Sequence, residues 1–144
     1  MNKTDAASAN MAAAKMNCAQ SVISVFCEEL GLEKSLALRL ALGFGGGMGH
    51  TGQTCGAVSA SYMILGLKQG LDLDNPKKNR DKVYALVQEF NKRFIEVNGS
   101  INCTQLLGYN LSKPEKAKAA IEAGVTAKLC PKFVRDAAAI VEGM

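Results

Sequence analysis

The pattern that most restricts the fold lies between Pro76 and Gly99, where apolar residues recur every three or four positions. The residues that carry it are Val83, Leu86, Val87, Phe90, Phe94 and Val97. This spacing puts them on one face of an α-helix, whereas a β-strand would scatter them over both faces. Proline suits the first turn of a helix, and glycine commonly follows its last turn. The segment therefore predicts a long helix from Pro76 to about Val97, whose apolar face other helices must cover.

The rest of the chain also reads as helices separated by glycine and proline. We predict helices over 17–30, 33–42, 54–68, from Ser112, and from Cys130-Pro131 to about Val141, with a short element near Cys103 to Leu107. Leu36, Leu40 and Phe44 are expected in the core, and Ser112 with Glu115 has the spacing of a capping box. No segment shows the alternation of a strand. The fold class predicted is all-α, an antiparallel helical bundle of about five to six helices.

Length and composition indicate one domain. The chain has 144 residues, of which 48% are hydrophobic, enough for one core of ordinary size. Its first residues, MNKTDAASANMAAAK, are small and polar. We expect a flexible N-terminus over residues 1–15 and a single helical domain over residues 16–144.

Charge and hydropathy exclude several classes of partner. The chain has 17 basic and 13 acidic residues, and the net charge of +4 is too small an excess to indicate a nucleic-acid-binding surface. The first fifteen residues lack the apolar run of a secretory signal. No apolar stretch approaches the roughly 20 residues that span a bilayer. We expect a cytoplasmic protein without membrane insertion or nucleic-acid binding.

Five cysteines are the residues with the most chemical potential. In the reducing cytoplasm they are not expected to form a disulfide framework, and an odd number leaves at least one unpaired. The roles that remain for these cysteines are catalysis, redox sensing and metal ligation. The sequence has no Cys-x-x-Cys pair, so a zinc ribbon or thioredoxin-like motif is not supported. Cys27 lies nine positions after Cys18, on the opposite side of the predicted helix, and is interpreted as a packing residue.

The other four cysteines lie near predicted helix starts. Cys55 follows a glycine-rich loop at the beginning of a helix, where the partial positive charge of the terminus favours thiolate and predicts a lowered pKa. Cys130 directly precedes Pro131 at another predicted start. Cys18 and Cys103 share the local sequence Asn-Cys-x-Gln. The alternative interpretation of Cys55 is a small buried residue at a crowded contact.

The glycine-rich run GFGGGMGHTG precedes Cys55 and invites a nucleotide-binding interpretation. It contains Gly-x-Gly-x-x-Gly, but no strand precedes it, and Gln53 stands where a phosphate-binding loop needs lysine. Either the glycines direct amide groups and the Cys55 helix start toward one small site, or they form a tight interhelical connection. His50, the single histidine, either assists Cys55 as a base or metal ligand or is an exposed loop residue.

These residues resemble the C-GCAxxG-C-C family of proposed redox-active proteins, some members of which look like selenoproteins. The similarity covers nearly the whole chain after the N-terminus. The family's first cysteine matches Cys18, its Cys-Gly-Ala-x-x-Gly motif matches 55–60, and its two later cysteines match Cys103 and Cys130. Ala60 stands where the motif ends in glycine. The resemblance implies a helical protein with a thiol redox role that is encoded beside transport systems. It identifies no substrate.

Three functional hypotheses follow. In the first, Cys55 attacks a disulfide or electrophile, and Cys18, Cys103 or Cys130 resolves the mixed disulfide, with an unknown redox partner or a small thiol or disulfide as substrate. This needs no cofactor. In the second, the same four cysteines bind zinc or an iron–sulfur cluster without catalysis. In the third, the cysteines are packing residues of a structural partner protein. The sequence leaves the oligomeric state open.

Overall fold

The computed structural model describes all residues from Met1 to Met144 and contains eight α-helices and no strand. The helices are α1 (Lys3–Ala12), α2 (Cys18–Ile23), α3 (Lys34–Ala41), α4 (Gly56–Gln69), α5 (Pro76–Asn98), α6 (Cys103–Leu107), α7 (Pro114–Glu122) and α8 (Val125–Glu142). Two short 3₁₀ helices lie at Glu28–Leu30 and Leu42–Phe44. The all-α prediction is confirmed, with eight helices in place of five to six.

The N-terminal segment is helical, where the sequence led us to expect a flexible stretch over residues 1–15. The side chain of Asn2 accepts a hydrogen bond from the Asp5 N–H and so caps α1. Alanine-rich sequence favours the helix, and Ala7 is fully buried. The Ser8 hydroxyl donates to the carbonyl of Pro131 at 3.2 Å. The small, polar residues of this segment gave no apolar pattern that predicts α1, which packs on α8.

Helix α5 has the bounds that its apolar spacing predicts. Phe90 and Phe94 are fully buried and stack with their ring centroids 5.9 Å apart. Tyr62 of α4 meets Phe90 edge to face and donates its hydroxyl to the Asn91 side chain at 2.5 Å. These aromatic contacts join α4 to α5. Val97, at the end of the predicted apolar face, is exposed.

The segment around α2 and α3 differs from its prediction in two ways. The helix expected over residues 17–30 stops at Ile23, and a turn with a 3₁₀ helix completes the segment before Gly31. In α3 the buried residues are Ala37 and Ala41, whereas Leu36 and Leu40, which we expected in the core, are exposed. Alanine lets the backbone of α3 approach its neighbours closely. The helix face that carries Ala37 and Ala41 therefore packs against the core, and the face that carries the leucines is exposed.

Two helix starts in the C-terminal part also differ. Helix α7 begins at Pro114 with Lys113 as its N-cap residue, and the Ser112 hydroxyl bonds Asn110 instead of forming the predicted capping box. Helix α8 begins at Val125, directly after the left-handed Gly124, and not at Cys130-Pro131. Pro131 therefore lies within the helix, where the sequence had placed it at the first position.

The buried residues of all these segments join in one hydrophobic cluster of 26 residues that extends from α1 to α8. Four of the five cysteines, Cys18, Cys27, Cys55 and Cys103, belong to it. None of the helices combines the length and hydrophobicity needed to cross a membrane.

Candidate thiol site

The two Asn-Cys-x-Gln segments form two similar helix starts. The Asn17 side chain accepts from the Gln20 N–H at 3.0 Å and caps α2. The Asn102 side chain accepts from the Gln105 N–H at 3.0 Å and caps α6. In each case the cysteine becomes the first residue of the helix, with its side chain buried. The local sequence thus fixes the positions of Cys18 and Cys103.

A short backbone pairing holds Cys55 beside Cys103. The Cys55 N–H donates to the carbonyl of Ile101 at 2.8 Å, and the Cys103 N–H donates to the carbonyl of Gln53 at 2.7 Å. The two chain segments run antiparallel at this bridge. Cys55 is the N-cap residue of α4, but its side chain makes no capping hydrogen bond. Its thiol is therefore available to a neighbour from another element.

Gly56 lets Cys18 approach the start of α4. A Cβ atom at Gly56 would lie 2.5 Å from the Cys18 sulfur and 2.7 Å from the Phe44 carbonyl oxygen, both too close for a real side chain. Gly47 has a similar role beside Cys103, whose Cβ would be 2.6 Å from an added Cβ. Gly47 also has a left-handed backbone, with φ of +71°. The glycines thus permit the close contacts that bring the thiols together.

A cavity of about 440 Å³ is lined by four of the five cysteines, namely Cys18, Cys55, Cys103 and Cys130. Cys18, Cys55 and Cys103 are almost fully buried, and Cys130 is half-buried. Cys130 reaches the cavity from within α8, and not from a helix start as the sequence suggested. Cys27 does not line the cavity; its thiol donates to the Ser24 carbonyl in the core.

Cys18 is the thiol that the structure activates. Hydrogen bonds lower its pKa from 9.0 to about 6, against the opposing effect of burial. The largest contribution is a hydrogen bond from the Cys55 thiol. The others come from backbone N–H groups, those of Gly46, Ala19 and Gly56. A sulfur surrounded by donors is stabilised as thiolate, which favours the ionised form of Cys18.

The predicted lowering of the pKa of Cys55 is wrong. Its thiol hydrogen-bonds the Cys18 sulfur, and this bond, burial and the negative charge of Cys18 together raise its pKa well above 9.0. Removing the Cys55 proton would break that bond and place two negative charges side by side. The positive end of α4 does act on a thiolate, but through the Gly56 N–H on Cys18.

The remaining two cavity thiols stay protonated at neutral pH. Burial, followed by repulsion from Cys18, raises the pKa of Cys103 to about 11. Burial, followed by repulsion from Cys18 and Cys103, raises the pKa of Cys130 to about 12. Within the cavity the thiolate form is therefore favoured at Cys18 and disfavoured at the other three cysteines.

A comparison with protein families supports a redox role. The chain matches, over residues 16–144, the family described as "Putative redox-active protein (C_GCAxxG_C_C)". The chain belongs to this family. The similarity predicted from the four cysteines and the motif is thereby confirmed. In this member of the C-GCAxxG-C-C family, Ala60 is fully buried in α4.

An uncharacterized protein of the archaeon Archaeoglobus fulgidus is 31% identical to this chain over 97 residues. The aligned part makes up 62% of this chain and 64% of that protein, so the chain spans less than two thirds of its relative's length. No solved structure matches the chain.

The second hypothesis, a metal site, requires several ligands at one point. The structure has no group of three or more His, Cys, Asp or Glu side chains arranged to hold one metal ion. The four cysteines of this C-GCAxxG-C-C family member share a cavity without converging on one point. His50 also lines the cavity, is exposed, and has a left-handed backbone with φ of 63°.

Sequence reasoning identified the four cavity thiols but missed the groups that select among them. Those groups are backbone N–H donors at Gly46 and Gly56, which carry no side chain that a motif could reveal. One indirect signal was present, since a glycine directly after Cys55 is a weak choice for a helix interior and indicates a close backbone approach.

Proposed function

We propose that this protein performs thiol–disulfide exchange, with Cys18 as the attacking thiolate and Cys55 as the resolving thiol. The observation that carries the proposal is the close approach of the Cys18 sulfur to the start of α4, where it lies 2.5 Å from the place of a Cβ atom at Gly56, directly after Cys55, in the cavity that both cysteines line. The redox description of the family agrees with it. The roles of the two cysteines are thus exchanged relative to those expected from sequence.

The first step is attack of the Cys18 thiolate on one sulfur of a disulfide RS–SR′. A bond forms between Cys18 and the RS sulfur, the S–S bond of the substrate breaks, and R′S⁻ leaves with the electron pair. In the second step Cys55 gives up its proton to the departing thiolate or to water and attacks the Cys18 sulfur. The products are RS⁻ and a Cys18–Cys55 disulfide; the substrate is reduced and the cysteine pair oxidised.

The environment of the two sulfurs suits this order of steps. Backbone N–H groups of Gly46 and Gly56 hold the Cys18 thiolate in place before substrate arrives. Once Cys18 is bonded to the substrate it no longer carries a negative charge. The repulsion that raises the pKa of Cys55 then disappears, so Cys55 ionises more readily in the mixed disulfide than in the resting protein.

A complete cycle needs a dithiol reductant, which would attack the Cys18–Cys55 disulfide and return both thiols. Such reductants, small or protein, belong to a reducing compartment such as the cytoplasm, where we expect this protein to act. Cys103 and Cys130 have raised pKa values and take no part in the first two steps.

Trapping the mixed disulfide tests the assignment. The variant Cys55→Ser keeps a hydroxyl donor toward Cys18 but removes the resolving sulfur. Mixed with the neutral disulfide dithiodipyridine at pH 7, it should release one equivalent of thiopyridone rapidly and retain one pyridylthio group on Cys18, detected by peptide mass mapping. The natural protein should release two equivalents.

The matched controls are Cys18→Ser and Cys27→Ala. Cys18→Ser should lose the rapid phase, by about 30-fold, because a thiol of ordinary pKa is about 3% ionised at pH 7. Cys27→Ala should behave as the natural protein. A Cys55→Ser variant that carries no adduct on Cys18, or a Cys18→Ser variant that keeps the rapid phase, would refute the proposal.

A further inference from the structure

The wall of the thiol cavity has no acidic or basic side chain besides the cysteines and His50. Nineteen residues line it, twelve of them hydrophobic, and none is Asp, Glu, Lys or Arg. A bound charged group would leave its hydration shell, and the only opposite charge that it could meet is that of the Cys18 thiolate, which is lost when the substrate bonds to the sulfur. The thiolate of Cys18 would in addition repel a second negative charge. The common charged thiols and disulfides, such as glutathione with its carboxylates, fit this wall poorly.

The polar side chains of the wall are few, and the most prominent is already engaged. The Asn17 amide donates to the Leu42 carbonyl at 2.9 Å, and its oxygen accepts from the Gln20 N–H. The nearby backbone donors, including the Gly46 N–H, point at the Cys18 sulfur. His50 and Thr126 are the polar side chains of the wall that make no hydrogen bond within the protein and remain free for a ligand.

Two large aliphatic side chains of the wall are exposed to water. Leu42, from the 3₁₀ helix after α3, is 60% exposed, and Ile121, from α7, is 67% exposed. Both belong to the cavity lining, so a ligand that covers them removes apolar surface from water. A polar ligand would gain nothing from this contact. The exposed leucine and isoleucine therefore favour an apolar ligand.

The size of the cavity favours a small molecule over a protein as the substrate. The cavity volume of about 440 Å³ lies within the range of about 300–1,000 Å³ that is typical of small-molecule sites. Cys18 is only 8% exposed, so its sulfur reacts with a molecule that enters the cavity. A disulfide on the surface of a folded protein would be kept away by the cavity walls.

We infer that the substrate whose disulfide or related sulfur electrophile Cys18 attacks is a small, uncharged and predominantly apolar molecule. The inference rests on the proposed thiol–disulfide function and adds the substrate class to it. The apolar part R contacts Leu42 and Ile121, and the reacting sulfur meets Cys18. Attack forms the Cys18–SR bond and expels the second half of the substrate as a thiolate or sulfinate, which carries away the electron pair.

The test compares three methanethiosulfonates that share one reactive group: the neutral benzyl compound, the anionic sulfonatoethyl compound and the cationic trimethylammonioethyl compound. The rate of loss of the free Cys18 thiol is measured by quenching and peptide mass mapping, and each rate is divided by that of a small free thiol. We expect the benzyl reagent to be favoured over the anionic reagent by about tenfold or more, and over the cationic reagent by a smaller factor because the Cys18 thiolate attracts a cation.

The role of the cavity wall in selecting the reagent is tested with the variants Leu42→Lys and Ile121→Lys. Both should fold, because both side chains are exposed. Each should reduce the preference for the benzyl reagent over the anionic one at least threefold, because lysine removes an apolar contact and attracts the sulfonate. The matched control is Ile95→Lys in α5, which is 43% exposed and outside the cavity, and it should retain the preference. Equal normalised rates for the three reagents would overturn the inference while leaving the thiol chemistry intact.

Equilibrium binding tests the apolar site independently of the proposed thiol–disulfide exchange. The neutral fluorophore phenylnaphthylamine contains no reactive group and should bind the natural protein with enhanced fluorescence, more weakly to the Leu42→Lys and Ile121→Lys variants, and equally to Ile95→Lys. Binding combined with an unreactive Cys18 would support the apolar site and refute the proposed exchange. No binding would overturn the apolar site even if Cys18 proves reactive.

Discussion

The starts of α2 and α6 have the same local sequence and opposite chemistry. Both begin with Asn-Cys-x-Gln, in both the asparagine caps the helix, and Cys18 and Cys103 are 8% and 7% exposed. Yet the pKa of Cys18 is lowered to about 6 and that of Cys103 is raised to about 11. A helix start and burial are common to the two, so neither explains the difference.

The difference comes from residues far away in sequence. Cys18 receives donors from the glycine turn at Gly46 and from Cys55 and Gly56 at the start of α4. Cys103 has no such donors to its sulfur, and the neighbouring thiolate of Cys18 disfavours a second charge. The comparison teaches that the tertiary arrangement of N–H and S–H donors, more than the helix terminus, selects the reactive thiol.

The largest expected difference between the two cysteines is in their pH dependence. The alkylation rate of Cys18 by iodoacetamide should rise with pH to a plateau, with a midpoint near pH 6, because only the thiolate reacts. Cys103 should remain slow until the pH approaches 11. Site-resolved alkylation followed by mass spectrometry measures both. If the alkylation rate of Cys18 has its midpoint at or above pH 9, Cys18 does not differ from Cys103 in the way that we predict.

The second prediction concerns the contact that brings a donor to Cys18. Gly56→Ala would place a methyl group 2.5 Å from the Cys18 sulfur and 2.7 Å from the Phe44 carbonyl oxygen. We expect a loss of about 1–3 kcal/mol in the free energy of unfolding, measured with urea, and a higher pKa of Cys18.

Gly66→Ala is the matched control in the same helix. An added Cβ there meets nothing within 4 Å, and removing a glycine from a helix interior should stabilise the protein by about 0.5–1 kcal/mol. It should not change the pKa of Cys18. If the two alanine variants have equal stability, the close approach of α2 to α4 is not what Gly56 permits.

The smallest expected difference is between the two capping asparagines. Asn17→Ala and Asn102→Ala should each cost about 0.5–2 kcal/mol of stability, since each removes an N-cap. Asn17 also donates to the Leu42 carbonyl and so holds the chain that leads into the glycine turn. Only Asn17→Ala should slow alkylation of Cys18 at pH 6, by about twofold, which corresponds to a pKa change of about half a unit. An equal effect of Asn102→Ala would contradict this.

Elements with a strong local signal could be predicted from the sequence. Helices α4 and α5 follow from apolar spacing and from glycine or proline at their ends, and the four cavity cysteines follow from their sequence contexts. Helix α3 was placed correctly but turned the wrong way, because hydrophobicity favours burying Leu36 while close packing selects Ala37. The local preference of a side chain does not include the space left by neighbouring helices.

The chemistry of the site could not be predicted in the same way. The start of α8 was misplaced because proline is common at a first helical position, whereas the left-handed Gly124 sets the actual start. Cys55 was chosen as the reactive thiol from its place at a helix start and from its position in the family motif. The deciding hydrogen bonds connect Cys18 to Cys55, Gly46 and Gly56, and such long-range donors become visible only in the folded structure.

The most direct test of the assignment of Cys18 and Cys55 is to map the disulfide that forms first. The reduced protein is mixed with one equivalent of dithiodipyridine at pH 7, the remaining thiols are quickly alkylated, and peptides are analysed without reduction. The predicted product is a Cys18–Cys55 disulfide with Cys103 and Cys130 alkylated. A Cys103–Cys130 disulfide, or a pyridylthio group on Cys55 with Cys18 alkylated, would contradict the account.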